Sequence, residues 1–178
     1  MKPLKFIFGV SLCFLVLLGC QNQDLPKGQG TKDASIPTHI SYSIILQLVD
    51  STTVRSVVKG DKALIFESKM ITILTGNVQL KLYKPFTSTV ETILTCDSAV
   101  IYDNTKDMNA YGNVEVYSYI SKTKVRTPLL RWVQLRQHFE SDKAVTIDSP
   151  KETISGIGFD SDKDLVNYTI YKVMGNTK

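Results

Sequence analysis

The stretch Gly76–Lys84, GNVQLKLYK, returns 36 residues later as Gly112–Tyr119, GNVEVYSY. In each copy a glycine and an asparagine precede strict alternation. Val78, Leu80 and Leu82 fall on one face, Gln79, Lys81 and Tyr83 on the other; Val114 and Val116 repeat the apolar row opposite Glu115, Tyr117 and Tyr119. A period of two marks a strand with one buried face. The match extends upstream at the same offset. GDKALIF (Gly60–Phe66) and CDSAVIY (Cys96–Tyr102) align Asp61 with Asp97, Ala63 with Ala99 and Ile65 with Ile101. A looser third copy runs LLRWVQL from Leu129 and ESDKAVTI from Glu140, with Ala144-Val145 in place of Asn-Val. Each unit reads as two strands, one ending near the aromatic and one opening at Gly-Asn-Val. The glycine then occupies a turn that needs positive φ. A strand pair cannot bury its apolar face alone, so the units must stack.

Working outward, the β texture starts near Ile40 and persists to Gly175, in short runs of Val, Ile, Thr and Tyr separated by Gly, Asn, Asp and Lys. No window there holds a helical period beyond two turns. LLRWVQLRQHF (Leu129–Phe139) is apolar enough to be ambiguous and is read as strand, by analogy with the repeat. The tail breaks the repeat: Gly156 and Gly158 lead to Phe159, DSDKD (Asp160–Asp164) reads as a solvated turn, and Val166–Val173 as a last strand.

The N-terminus sets the compartment. Lys2 and Lys5 precede a 13-residue, mostly apolar run, Phe6–Leu18, which is followed by Gly19 and Cys20. A membrane span needs about 20 apolar residues, so this is a secretory signal. Leu17-Leu18-Gly19-Cys20 has the bacterial lipobox pattern, which predicts cleavage before Cys20 and acylation of its sulfur and amino group. Two or three acyl chains hold a membrane stably where one does not. The predicted organisation is therefore a signal peptide at 1–19, a lipidated polar tether at 20–39, a β-domain at 40–175 and a short tail at 176–178. The tether, QNQDLPKGQGTKDASIP, has no face to bury. Losing Lys2 and Lys5 leaves 19 basic residues against 17 acids, a balance that gives no reason to invoke nucleic acid. Three cysteines make no disulfide framework, since Cys13 leaves with the signal, Cys20 is a thioether and Cys96 has no partner.

Catalytic and metal signatures are thin. His39 and His138 have no ligand-like spacing. DSDKD lacks the glycine and distal glutamate of a calcium loop, GIGF lacks the rest of a phosphate-binding loop, and no Gly-x-Ser-x-Gly elbow occurs. The reading is a non-enzyme without cofactor or metal. The rivals are a closed β-sandwich scaffold lipoprotein and an envelope carbohydrate-active enzyme, the latter requiring converging carboxylates that cannot be named here.

Taken together, the lipobox, the polar tether, the Asp-x-Ala strands, the Gly-Asn-Val repeats, LLRW…F…SDKAVTI and ETISGIGFDSDKDLVNY (Glu152–Tyr168) resemble the LptC family of lipopolysaccharide export, and more widely the OstA-type β-domain. The likeness spans roughly Ser43 to Gly175. It implies an antiparallel, twisted β-jelly-roll forming an open trough, held at the periplasmic face of the inner membrane. The trough would take lipopolysaccharide, or a related lipid A glycolipid, from an inner-membrane ABC exporter and pass it to a periplasmic bridge protein of the same fold. One departure is the anchor, because many members use an uncleaved helix where Cys20 here predicts acylation; Gln21 leaves open which membrane holds it. The physical need for a conduit is large. Exposing one CH₂ costs ~0.8 kcal/mol, so a 12-carbon chain costs about 9 kcal/mol in water. The expected lining rungs are Val78, Leu80, Leu82, Val114, Val116, Val145 and Ile147. Ile65, Ile101 and Trp132 join them less firmly, since their strands are apolar on both faces. From alternation alone these residues fit a closed core equally well. Unpaired sheet edges would recruit partners by strand addition, one edge after Ile40 and the other at Tyr168, Ile170 and Val173.

Overall fold

The computed structural model describes residues 35–177. The predicted signal peptide, the predicted acylation site Cys20 and most of the predicted tether lie outside the described residues. Nine antiparallel strands form one sheet in chain order: β1 (His39–Asp50), β2 (Thr53–Phe66), β3 (Ile71–Tyr83), β4 (Val90–Tyr102), β5 (Met108–Ser118), β6 (Lys124–Val133), β7 (His138–Asp148), β8 (Thr153–Asp162) and β9 (Tyr168–Thr177). A single 3-10 turn at Glu67–Lys69 is the one helical piece among the described residues. This is the all-β, antiparallel open sheet that the sequence predicts, with β1 and β9 as unpaired edges.

The repeat has a different structural meaning from the one expected. Gly-Asn-Val does not open a strand; it sits in the middle of one. β3 runs unbroken through Gly76-Asn77, and β5 through Gly112-Asn113. At each place two residues oppose one on the neighbouring strand: Thr75 pairs Ser98 and Val78 pairs Cys96, leaving Gly76 and Asn77 against Asp97. Such a bulge needs left-handed backbone, and both residues have it, with φ of 73° and 46° in β3 and 71° and 44° in β5. The preceding strand's aspartate fixes the geometry. Asn77 Nδ2 donates to Asp61 Oδ2 at 2.7 Å, and Asn113 Nδ2 to Asp97 Oδ2 at 2.8 Å. A methyl group at Gly112 would stand 2.3 Å from Asp97 Oδ2, so glycine is required twice over, for conformation and for space. The 36-residue period is therefore the period of an Asp–Asn-braced bulge. In the third copy a hydroxyl network replaces it: Thr127 Oγ1 and Ser141 Oγ lie 3.3 Å apart, donating to the carbonyls of Ala144 and Leu129.

Register shifts fall at matching heights from β2 to β8, making a crease across the sheet. Each of these strands thus has two halves, and the halves fold toward each other so that one face becomes the interior. On β4 the inward face changes parity at the crease, from Leu94 and Cys96 to Ala99 and Ile101. On β6 it changes from Val125 and Thr127 to Leu130 and Trp132. The core gathers these side chains with Leu74, Leu80, Val114, Phe139, Ile147 and Phe159.

Two further readings are corrected. Leu129–Phe139 is not one strand, because Gln134–Gln137 form the hairpin between β6 and β7, with Gln137 at φ 55°. DSDKD is not a solvated turn. Asp160–Asp162 end β8, and Lys163–Leu165 tuck inward, with Leu165 at 1% exposure in the core, before Val166 and Asn167 return to the surface. The last strand begins at Tyr168, two residues beyond Val166.

Candidate functional site

The two sheet halves do not meet equally along their length. Toward the N-terminal edge a partly open cavity of about 220 Å³ lies between them. Leu46, Leu48, Val58 and Leu80 line it from one half, and Ile101, Met108 and Trp132 from the other. Each comes from the inward row of its strand, so the apolar wall follows directly from the two-residue period. Polar groups stand at the rim. Asp103 accepts from Thr72 Oγ1 at 3.2 Å, and Gln134 Oε1 accepts the Trp132 indole N–H at 2.8 Å, which fixes the indole in the wall.

Toward the C-terminal edge the turn between β8 and β9 closes the gap. Lys163 Nζ donates to Glu91 Oε2 at 2.5 Å and to Asp164 Oδ1 at 2.6 Å. Thr92 Oγ1 donates to the Lys163 carbonyl at 2.7 Å, and Ser121 Oγ to the Asp164 carbonyl at 2.9 Å. Asp162 braces the turn from within by accepting the backbone N–H groups of Asp164, Val166 and Asn167. Burial works against the charge on Lys163, but its hydrogen bonds to Asp164 and Glu91 outweigh it and hold the amine above the ordinary lysine value. This strap joins the start of β4 and the β5–β6 turn to the far half of the sheet, and Leu165 is the plug beneath it.

Of the ten residues expected to line a groove, Leu80, Ile101 and Trp132 face the cavity. Val78, Leu82, Val114, Val116, Val145 and Ile147 are buried in the same interior without lining it. Ile65 is half-buried, on the inward row opposite Thr72. Sequence reasoning passed over Leu46, Leu48, Val58 and Met108. The alternation of Ile44, Leu46 and Leu48 in β1 carried that signal, but β1 lies outside the repeat. At the edges, Tyr168 and Ile170 pack against the core while Val173 is exposed; on β1, Ile40, Tyr42, Ile45 and Val49 are exposed.

Titratable groups gather into pairs rather than a reaction centre. His39 lies 3.2 Å from Glu67, and His138 lies 3.3 Å from Asp160. Arg131 pairs Asp107 at 2.9 Å, and Arg136 pairs Glu140. Burial pushes the Cys96 thiol up to about 11, the behaviour of a small core residue rather than a nucleophile. Among the described residues no cluster of His, Cys, Asp and Glu could hold a metal ion, and no helix is long and apolar enough to cross a membrane.

Comparison with known proteins agrees with this architecture. A sequence-family model described as lipopolysaccharide-assembly, LptC-related, matches residues 12–177. No curated protein sequence matches the chain. Among solved structures it is similar to LptH of Pseudomonas aeruginosa, the LptA-homologous periplasmic component of the lipopolysaccharide transport device. The identity is 12%, the TM-score 0.54, and the match covers 66% of this chain and 82% of that one.

Proposed function

The chain belongs to the LptC-related lipopolysaccharide-assembly family, non-catalytic components of periplasmic lipopolysaccharide transport, and on that premise we propose that its folded sheet carries the acyl chains of the glycolipid. The tails lie between the sheet halves and the sugars stay outside. Lipid enters from an inner-membrane ABC exporter and leaves toward the outer membrane through a bridge protein of the same β-fold. Cys20 anchors the chain by its acyl groups, and the edges β1 and β9, the latter through Tyr168, Ile170 and Val173, extend the sheet into partners.

The observation that carries this reading is the cavity walled by Leu46, Leu48, Val58, Leu80, Ile101, Met108 and Trp132, with Asp103, Lys106 and Gln134 among its polar lining. Its volume is below the ~300 Å³ of a small-molecule pocket, so it holds part of one acyl chain at a time. Chains must then move along the trough. A headgroup too large for the interior can pass Lys163–Leu165 only if the strap releases, so the strap divides the path into two compartments.

The scaffold alternative draws on the strapped part, where Leu165 fills the interior. Photo-crosslinking separates the two. A photoreactive residue at Leu80 or Ile101 should form adducts with lipopolysaccharide under export conditions, and one at the outward Lys81 should not. No adduct at either inward position favours the scaffold.

A further inference from the structure

The hairpin tips at one end of the sheet carry a second apolar feature, independent of the interior. Phe86 stands at the apex of the β3–β4 turn, 87% exposed. On the next turn at that end, between β5 and β6, Tyr119 and Ile120 are 45% and 49% exposed. The two turns are tied together through the start of β4, where the Tyr119 N–H donates to the Glu91 carbonyl at 2.8 Å.

These side chains are held out rather than left loose. Phe86 has φ of 61°, a left-handed conformation that a bulky residue adopts only under constraint. Thr87 supplies that constraint, its N–H and hydroxyl both donating to the Lys84 carbonyl at 3.2 Å. In the second turn the Ile120 and Ser121 N–H groups donate to Ser118 Oγ, and the Tyr119 ring packs edge-on against Tyr117 with centroids 5.0 Å apart. A constrained, solvent-facing phenylalanine is poorly explained by folding alone.

The two tip turns themselves carry charge of one sign. Neither Lys84–Thr89 nor Tyr119–Thr123 contains an acid. Lys84 and Lys122 are exposed and, among the described residues, have no acidic partner; Lys122 Nζ lies 5.9 Å from the Tyr119 ring centroid. The nearby acids Glu91 and Asp164 share the single cation Lys163, so that group keeps one negative charge against the two of Lys84 and Lys122. The opposite end of the sheet differs. Its exposed Met70 and Leu135 lie on turns separated by the β4–β5 turn, which carries Asp103 and Asp107.

We propose that the tips built from Lys84–Phe86 and Tyr119–Lys122 are a membrane-docking surface, inserting Phe86 and Ile120 among the lipids of an anionic bilayer while the two lysines meet its phosphates. Aromatic and aliphatic residues flanked by lysine suit an interface with headgroups outside and acyl chains just beneath. Docking by these tips lays the strapped part of the trough toward the membrane.

The test uses the full chain on vesicles of phosphatidylethanolamine and phosphatidylglycerol that contain lipids brominated on the acyl chain. Phe86→Trp and Leu135→Trp are prepared separately, and the signal of the unmodified chain, which has only the buried Trp132, is subtracted. At position 86 the added tryptophan is expected to be quenched at least about threefold more than at position 135. Lys84→Glu and Lys122→Glu should each weaken that quenching about fivefold, and replacing phosphatidylglycerol by a neutral lipid should do the same. Equal quenching at the two positions, stronger quenching at 135, or none at 86 overturns the proposal. So does protection of position 86 only when a protein partner is present.

Discussion

The N-terminal and C-terminal parts of the trough belong to one sheet crossed by one crease, yet one is open and the other is bolted. Near β1 the inward residues Leu46, Leu48 and Val58 have no element pressed over them, and space remains before Ile101 and Trp132. Near β8 the equivalent space is filled by Leu165, and the sheet halves are linked through Lys163, Glu91, Thr92 and Ser121. The difference lies in a single turn. An apolar row becomes a groove or a core according to what covers it, and a five-residue turn, 163–167, decides which.

The largest test of that contrast compares interior with edge. Phe139→Ala removes a fully buried ring on the shared wall and should cost about 3–5 kcal/mol in denaturant unfolding. Ile45→Ala, on the exposed row of β1, should cost no more than about 0.5 kcal/mol. Comparable losses would mean that β1 is covered in the native protein.

Next comes the crease that both parts share. Gly112→Ala forces a left-handed alanine against Asp97 and should destabilise by about 1–3 kcal/mol. Gly175→Ala meets nothing within 4 Å and should leave the melting curve unmoved. A neutral Gly112→Ala would show that the bulge is not a fixed bend.

The strap itself gives a local effect. Lys163→Met leaves the buried Glu91 carboxylate without its cation and should cost about 1–3 kcal/mol. Amide exchange should quicken in residues 163–167 and at Thr92 while β2 and β3 stay protected. Uniform loss of protection would sink the idea of a separable strap.

The same link has a pH signature. A lysine whose folded value lies above the ordinary 10.5 contributes fully while both folded and unfolded states are protonated, below 10.5. That contribution fades as the pH climbs through 10.5 toward the raised folded value. Exchange in the strap should therefore rise under alkaline conditions before the cavity end responds, and Lys163→Met should abolish the difference. Smallest of all, Cys96 should resist alkylation in the native protein at pH 8, because its thiol titrates near 11. Rapid labelling would place the crease of β4 in contact with solvent.

Much of the fold was legible because alternation and spacing are properties of the chain. GNVQLKLYK announces a strand wherever it is placed, and its return at a fixed offset announces stacked copies. What spacing could not convey was that Gly76-Asn77 lies inside a strand. A turn and a bulge ask for the same left-handed backbone, and only the pairing of Asp61 with Asn77 across strands distinguishes them. The uncertain faces of Ile65, Ile101 and Trp132 have the same origin. Parity reverses at the crease on β2, β4 and β6, so a face followed from the first half of the strand points the wrong way in the second. DSDKD was misjudged because its charges suggest solvent, whereas Lys163 finds its counter-charge at Glu91, 72 residues away in the chain.

The amino-acid order by itself determined the β class, the strand faces, the repeat and the kinship, since each depends on residues within a few positions of one another or on a fixed interval. Which apolar rows line a cavity, which are sealed, and where the sheet halves are fastened was decided only in three dimensions. Those outcomes depend on contacts between segments as much as 72 residues apart, and a strand's own pattern records that one of its faces is dry without recording what lies across from it.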